Sequence, residues 1–230
     1  MNLMEKEELV RVKAEELETA SPQEIISWAV QTFPNITFAC SFGAEDVVLV
    51  DMLRKISTTA DVFYLDTDFH FKETYETRDQ MAAHYDLDFV RVSPLLTPEE
   101  QAQNHGHELW LSDPNACCNI RKVEPLTRIL SQYDAWITGI RRDQAPTRAN
   151  ARKIEYDYKF GLIKFNPIAD WTNDDVWNYI RDNHIIYNPL HDQNYPSIGC
   201  EYCTRQVMPG EDPRAGRWAG NDKTECGLHK

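Results

Sequence analysis

Short β-favouring runs, each followed by a loop and a capped or apolar-faced helix, recur along this chain, and that alternation restricts its fold more than any other feature. Ile36-Thr37-Phe38-Ala39-Cys40 leads through Ser41-Phe42-Gly43-Ala44-Glu45-Asp46 into a helix over 47–53. Val62-Phe63-Tyr64-Leu65 ends at Asp66-Thr67-Asp68 and precedes a helix over about 72–84. Phe89-Val90-Arg91-Val92 precedes a helix start at Thr97-Pro98-Glu99-Glu100, and a helix over about 121–130 leads into a strand over 135–139. Strand–helix alternation implies right-handed crossovers and a mostly parallel sheet with helices on both faces, an α/β fold. A further strand is expected over 163–168, then a helix capped by Thr172-Asn173-Asp174-Asp175 and running to about Arg181. An acidic helix over 5–19 forms an N-terminal segment, 1–20. The α/β body occupies 21–190 and opens on a helix at Ser21-Pro22-Gln23-Glu24, where Ser is the N-cap and Glu closes a capping box. Residues 191–230 are rich in Pro, Gly and Cys, with little periodicity, and read as an irregular tail packed over the site. Ligands of such sheets bind beyond the carboxyl ends of the strands. Ser41, Asp66 and the Arg141-Arg142 loop all fall there.

At 230 residues the chain can bury a full core without staples. No apolar stretch approaches the roughly 20 residues that span a bilayer, and the start lacks a signal-peptide core, so a soluble, cytoplasmic protein with no membrane contact is expected. A net charge of -13 argues against nucleic acid as partner, because phosphate binding needs an excess of Lys and Arg. Basic residues nevertheless cluster at Arg121, Lys122, Arg141, Arg142, Arg148, Arg152 and Lys153, and again at Arg205, Arg214, Arg217 and Lys223. Local cationic clusters on an acidic protein suggest a focused anion pocket. For any single one of them a surface ion pair is the plainer reading.

Six cysteines are too sparse for a disulfide scaffold in a chain of this length and read better as metal binding or catalysis. Cys117, Cys118, Cys200 and Cys203 could close a tetrahedral zinc site or hold an iron–sulfur cluster. Adjacent cysteines are unusual for zinc but can reach two corners of a larger cluster, which favours iron–sulfur while leaving zinc open. Buried free thiols are the bland alternative, and four in this arrangement make it the weaker one. Cys226, in Glu225-Cys226-Gly227-Leu228-His229, lies where a chain is usually mobile unless docked. A thiol there can swing onto a substrate and later be offered to a second protein; basic neighbours would favour its thiolate. Cys40 reads as a small core residue. The loop over 41–46 joins a strand to a helix N-terminus, a ready anion site, yet it lacks the Lys-Ser/Thr ending of a P-loop.

Taken together, these residues resemble the assimilatory adenylyl-sulfate reductases, in the family shared with phosphoadenylyl-sulfate reductases. The resemblance runs from about Ile25 to His229. It rests on Cys-Cys-x-x-Arg-Lys at 117–122, Cys-x-x-Cys-Thr-Arg at 200–205, Glu-Cys-Gly-Leu-His at 225–229, Ser-Phe-Gly-Ala-Glu-Asp at 41–46, Leu65-Asp66-Thr67 and Arg141-Arg142-Asp143-Gln144. It implies a Rossmann-like adenine nucleotide α-hydrolase fold whose body over 21–190 binds the nucleotide. It also implies a [4Fe–4S] cluster on Cys117, Cys118, Cys200 and Cys203, with Cys226 as the catalytic nucleophile in the segment 191–230. In such enzymes the thiolate attacks the sulfur of adenylyl sulfate, expels AMP and forms an S-sulfocysteine, from which reduced thioredoxin releases sulfite. By that analogy Lys122, Arg142, Arg214, Arg217 and His229 face the phosphosulfate, and Ser41, Phe42, Gly43, Leu65 and Asp66 border the nucleotide. The cluster would tie the Cys117-Cys118 segment to the tail and fix Lys122 near the sulfate. A homo-oligomer is compatible with all of this.

Where many relatives have Gly-Arg after Leu-Asp-Thr, this chain has Asp68-Phe69, which removes a cation and puts a carboxylate near the nucleotide's edge. The alternative substrate is phosphoadenylyl sulfate, alone or in a dual-specificity enzyme. The four-cysteine set points to adenylyl sulfate. More remote are an ATP pyrophosphatase-type adenylating enzyme, which expects a Ser-Gly-Gly-x-Asp-Ser loop, and a non-enzymatic iron–sulfur sensor or structural zinc protein, which leaves 225–229 without a purpose.

Overall fold

Six strands form one sheet within residues 1–219 and 223–228, the part of the chain that the computed structural model describes. They are β1 (Ile36–Ala39), β2 (Asp61–Leu65), β3 (Val90–Val92), β4 (Ala135–Ile137), β5 (Ile154–Asp157) and β6 (Leu162–Phe165). Their order is β3-β2-β1-β4-β6-β5, parallel throughout except for the β5–β6 hairpin at one edge. The order reverses between β1 and β4, and the two strands diverge into loops at their carboxyl ends. That is the topological switch point at which such sheets bind ligands.

The helices are α1 (Leu3–Glu18), α2 (Pro22–Thr32), α3 (Ala44–Ile56), α4 (Lys72–Tyr85), α5 (Pro98–His105), α6 (Leu109–Ser112), α7 (Pro114–Cys118), α8 (Glu124–Leu130) and α9 (Asn173–Asp182). Complete capping boxes start α1, α2, α5 and α9 at Asn2, Ser21, Thr97 and Thr172, each satisfying backbone donors that the first turn leaves free. Helix α3 is buried almost all round, from Val47 to Leu53, because it lies between the sheet and the pair α2 and α9. Its polar exception is Asp51, whose carboxylate accepts from Tyr85 (3.1 Å), Tyr179 (2.8 Å) and Lys55 (2.7 Å) and so joins α3, α4 and α9. Leu126, Ile129 and Leu130 of α8 pack with Phe63, Trp136 and Leu162 in a second cluster. The α/β architecture with an irregular tail therefore stands as the sequence pattern predicts.

Some elements differ from expectation, the short α6 and α7 among them. The helix expected over 121–130 is divided: α7 passes into a π turn over Asn119–Val123 before α8 begins. Pro125 explains the break, since it donates no N–H and its ring crowds the carbonyl four residues back, so the ladder widens by a residue. Strand β5 goes unpredicted because only Ile154 is fully buried in it. It is an edge strand held by β6, by the Glu155–Lys164 ion pair (2.8 Å) and by a turn with Gly161 at φ 72°.

Candidate active site

The loop after β1 is built around one carboxylate. Ser41 donates both its backbone N–H and its hydroxyl to Asp46 Oδ2, each at 2.6 Å. Phe42 takes a left-handed backbone (φ 61°), uncommon for so bulky a residue, and its buried ring packs edge-on against Tyr64 and Phe89. Gly43 is the N-cap of α3, so free backbone N–H groups and the positive helix end face the crevice. Burial pushes Asp46 up to about 6 in spite of the Ser41 bonds. Beside it, burial would raise Glu45 too, but the Arg141 guanidinium, donating to Glu45 Oε1 at 3.0 and 2.8 Å, holds it below the usual carboxylate range.

Above this loop opens a cavity of about 690 Å³, within the range of nucleotide-sized pockets. Ser41, Phe42, Gly43 and Leu65 line it, and so do Lys122, Arg214 and Arg217. Cys226 lines it as well, so the tail thiol and the β1 loop face one space. Two of the expected contact residues point elsewhere. Asp66 is buried and saturated by Tyr75 (2.7 Å), Arg91 (2.6 Å) and the Asp68 N–H (3.1 Å). Arg142 donates to the Ala151 carbonyl (2.7 Å) and to Glu18 (2.5 Å), off the cavity wall. Arg141 and Arg148 line the cavity instead. Both stand in the basic cluster read from the sequence, but nothing local tells Arg141 from Arg142. His229 lies outside the described residues.

The tail is docked through charge. Glu225 is buried and accepts two bonds from Arg148 (3.0 and 2.9 Å), one from Thr147 (3.1 Å) and one from Arg214 (3.3 Å). These cations hold its carboxyl below the usual range against the effect of burial. Gly227 follows Cys226 at φ 86°, a turn that suits glycine, with its carbonyl accepting from Lys159 at 2.5 Å. Leu228 then packs against the second core cluster.

Cys117, Cys118, Cys200 and Cys203 line a second, small pocket behind Lys122 and Arg217, which border both spaces. Cys200 is brought there by a bridge to His70 and by the Glu201 N–H donating to the Phe69 carbonyl (2.8 Å). Thr67 Oγ1 lies 3.4 Å from Cys200 Sγ, and Gln101 Nε2 donates to Cys117 Sγ at 3.8 Å. Burial and the neighbouring thiols push Cys117 up to about 11 and Cys203 up to about 12. Thiols gathered in one buried pocket are suited to a cationic centre, which would deprotonate its ligands outright. Among the described residues, no three His, Cys, Asp or Glu side chains converge on one ion. Arg121 reaches into the same pocket, with Nε on Gln101 (2.7 Å), Nη1 on Asp68 (2.9 Å) and Nη2 buried without a hydrogen-bond partner. Asp68 itself, left-handed at φ 58°, also meets Arg91 (3.3 Å) and is not on the cavity wall, so the carboxylate expected at the nucleotide's edge serves Arg121 instead.

The sheet reverses at β1 and β4, an anion-receptive loop stands at that point, and the Cys226 thiol lines the same nucleotide-sized cavity, the layout of an α/β enzyme with its ligand crevice at the switch point. Residues 35–206 match the phosphoadenosine phosphosulfate reductase domain, and the chain belongs to that family. Curated relatives include the adenosine 5'-phosphosulfate reductases of Shouchella clausii, 52% identical over 90% of this chain and 86% of that one, and of Mycolicibacterium smegmatis, 50% identical over 96% and 94%. Among solved structures, the phosphoadenylyl-sulfate reductase of Candida auris in its phosphate complex superposes with a TM-score of 0.76 at 34% identity, over 86% of this chain and 96% of that one. Yeast FAD synthetase shares the fold alone, at a TM-score of 0.56 and 12% identity over 90% and 77%.

Proposed function

We propose that this chain reduces adenylyl sulfate to sulfite and AMP through an S-sulfocysteine on Cys226, with reduced thioredoxin as the electron donor. The observation that carries the reading is the presence of Cys226 in the same cavity as the Ser41–Gly43 loop and the cations Lys122, Arg148, Arg214 and Arg217. The Cys226 thiolate attacks the sulfate sulfur, the bond from that sulfur to the phosphate oxygen breaks, and AMP leaves with the electron pair. Cations fixed beforehand around the oxygens stabilise the charge that develops there. Burial alone would lower the Lys122 ammonium, but the thiols of Cys200 and Cys226 raise it overall, so it stays charged beside the reacting sulfur. The α3 N-terminus and the Ser41 loop receive the nucleotide phosphate. Relatives near 50% identity named for adenosine 5'-phosphosulfate favour that substrate over the phosphoadenylyl form.

The four-thiol pocket supports a [4Fe–4S] cluster on Cys117, Cys118, Cys200 and Cys203. One zinc ion, with bonds of about 2.3 Å, needs its sulfurs drawn tightly together, whereas a cubane spreads them. When bound, the cluster supplies a fixed charge and a tie between the α7 segment and the 200–203 turn, with Lys122 and Arg217 standing between it and the substrate space. The test supplies adenylyl sulfate and reduced thioredoxin to the parent and to Cys226→Ser. Sulfite production should vanish in the variant while brown colour and acid-labile sulfide persist. Sulfite release by the variant at the parent's rate removes Cys226 from the reaction.

A further inference from the structure

We propose that Glu225 is a positioning residue that latches the Cys226 thiol over the cavity for sulfonation and must release it for reduction. The inference rests on Cys226 being the nucleophile and concerns its neighbour, to which that reading gives no role.

Glu225 is the buried carboxylate of the tail segment, which is also held by Lys159 on the Gly227 carbonyl, by Lys223 on Asn115 and by Leu228 in the second core cluster. Arg148 grips both of its oxygens, and Arg148 is itself fixed by donating to Gln144 Oε1 at 2.6 Å. Gln144 Oε1 in turn accepts from the Arg141 N–H at 3.0 Å, so the latch runs into the loop that follows β4. Arg214 adds bonds to Glu225 (3.3 Å) and to the Thr224 carbonyl (2.9 Å). Two-point bonds between guanidinium and carboxylate fix orientation as well as distance. The next residue is Cys226, so its Sγ inherits that geometry. A nucleophile held near attack distance gains most when its anchor is rigid and close by.

The same anchor opposes the second half of the reaction. After sulfonation, Cys226 Sγ bears the sulfonate inside the cavity. A thiolate of the dithiol partner must reach that Sγ and form an S–S bond, while sulfite leaves with the electron pair of the broken bond. The partner's second thiol then closes its own disulfide and returns Cys226 as thiolate. A folded dithiol protein cannot enter a cavity of about 690 Å³ bordered by Arg214, Arg217 and Leu228, so the segment 223–228 has to move out. Every bond to Glu225 resists that movement. One substitution is thus expected to act on the two half-reactions with opposite signs, which general damage to the fold does not do.

The experiment measures the half-reactions separately for the parent, Glu225→Gln and Glu225→Asp, with Cys226→Ser as control. Adenylyl sulfate without reductant gives the rate of AMP release in a single turnover. Pre-sulfonated enzyme mixed with reduced thioredoxin gives the rate of sulfite release. Glu225→Gln should slow sulfonation roughly 10- to 100-fold, the weight of one or two charge-assisted bonds, while sulfite release becomes faster. Glu225→Asp, which keeps the charge, should recover part of the first rate. Hydrogen exchange in the peptide 223–228 should quicken in Glu225→Gln with the sheet unchanged. Parent-like sulfonation by Glu225→Gln, or equal slowing of both steps, overturns the latch alone. Sulfite release by Cys226→Ser overturns the nucleophile and the latch with it.

Discussion

Gly139 and Asp46 meet where β4 gives way to its loop, so closely that a β-carbon on Gly139 would overlap Asp46 Oδ1 and lie 3.1 Å from the Glu45 β-carbon. Asp46 holds Ser41 through its other oxygen, so one carboxylate links the end of β4 to the start of the β1 loop, beside the Arg141–Glu45 pair. Gly139→Ala should therefore displace Asp46 and loosen the loop. The expected cost is about 1–3 kcal/mol of stability, typical of overpacking, together with weaker AMP binding. Urea unfolding and AMP titration measure the two. Unchanged AMP affinity would separate the β1 loop from the nucleotide.

The titration of Asp46 gives stability a pH dependence of known sign. Its carboxyl is pushed up to about 6 by burial, against about 3.9 in an unfolded chain. Between those values the folded chain keeps a proton that the unfolded chain has released. The contribution of this group is thus full below about pH 4 and is lost as the pH rises through about 6. A shift of about two units corresponds to about 3 kcal/mol. Denaturation of the parent and of Asp46→Asn from pH 4.5 to 7.5 should show the difference moving in favour of Asn as the pH rises. A constant difference would mean that Asp46 titrates like an exposed aspartate.

Neighbouring arginines should behave differently. Arg141 and Arg148 border the substrate cavity, whereas Arg142 ties the 141–142 loop to Glu18 of α1 and to the Ala151 carbonyl. Arg148→Ala should cut kcat/KM at least tenfold, since it removes a cavity cation and leaves Glu225 short of its main partner. Arg142→Ala should cost below about 1 kcal/mol of stability, the weight of a half-exposed pair, with AMP affinity retained. Equal losses of AMP binding in both variants would contradict the placement of Arg142.

Asp51 provides a test of the fold that leaves the cavity alone. Its carboxylate is buried against Tyr85 and Tyr179, whose hydroxyls are pushed upward by burial and by the carboxylate. Tyr179→Phe should cost about 1 kcal/mol, one hydrogen bond. Asp51→Ala should cost clearly more, because two part-buried hydroxyls and the Lys55 ammonium then lose their acceptor. Thermal unfolding of both variants gives the comparison.

What the sequence made legible was local or periodic. Helix starts at Ser21, Thr97 and Thr172 depend on side chains three residues apart, and the structure has all three capping boxes. Strands β1, β2 and β4 announce themselves through β-favouring runs that must be buried on both faces. β5 does not, because an edge strand anchored by Ile154 alone carries no such run. Within the site, Ser41 follows from its position beyond a strand end, whereas Phe42, Gly43 and Leu65 come from the family resemblance; all four line the cavity. The exchange of Arg141 for Arg142 follows from neither, since the direction of a side chain beyond a strand depends on how the loop leaves it. Nor does the pairing of Arg148 with Glu225, 77 residues apart, which only the folded chain brings together. Asp68 illustrates the same limit: the sequence showed a carboxylate in an unusual place, but its partner lies 53 residues further on.

That partner, Arg121, yields the last prediction. Its side chain is 1% exposed, its ring neighbour Phe69 lies 4.7 Å from the guanidinium carbon, and Asp68 is the carboxylate bonded to it. With Nε on Gln101 and Nη1 on Asp68, the buried Nη2 of Arg121, a residue that lines the four-thiol pocket, is left without a partner and is the donor available for a charge-assisted bond to a cysteine sulfur there. Asp68→Ala removes the charge that balances a buried cation from the solvent-facing side of the pair, and leaving a buried donor without its acceptor costs about 1–3 kcal/mol. The left-handed backbone at 68 adds strain for Ala, so Asp68→Gly serves as the cleaner variant. Both variants should lose visible absorbance and iron to a chelator faster than the parent, and Arg121→Lys, which cannot keep the two-sided fork, should do the same. Chelation at the parent's rate in Asp68→Gly would show that Arg121 holds its place without Asp68. If the purified parent carries zinc or no metal at all, the sulfur pocket has another role and the charge balance around Arg121 concerns stability alone.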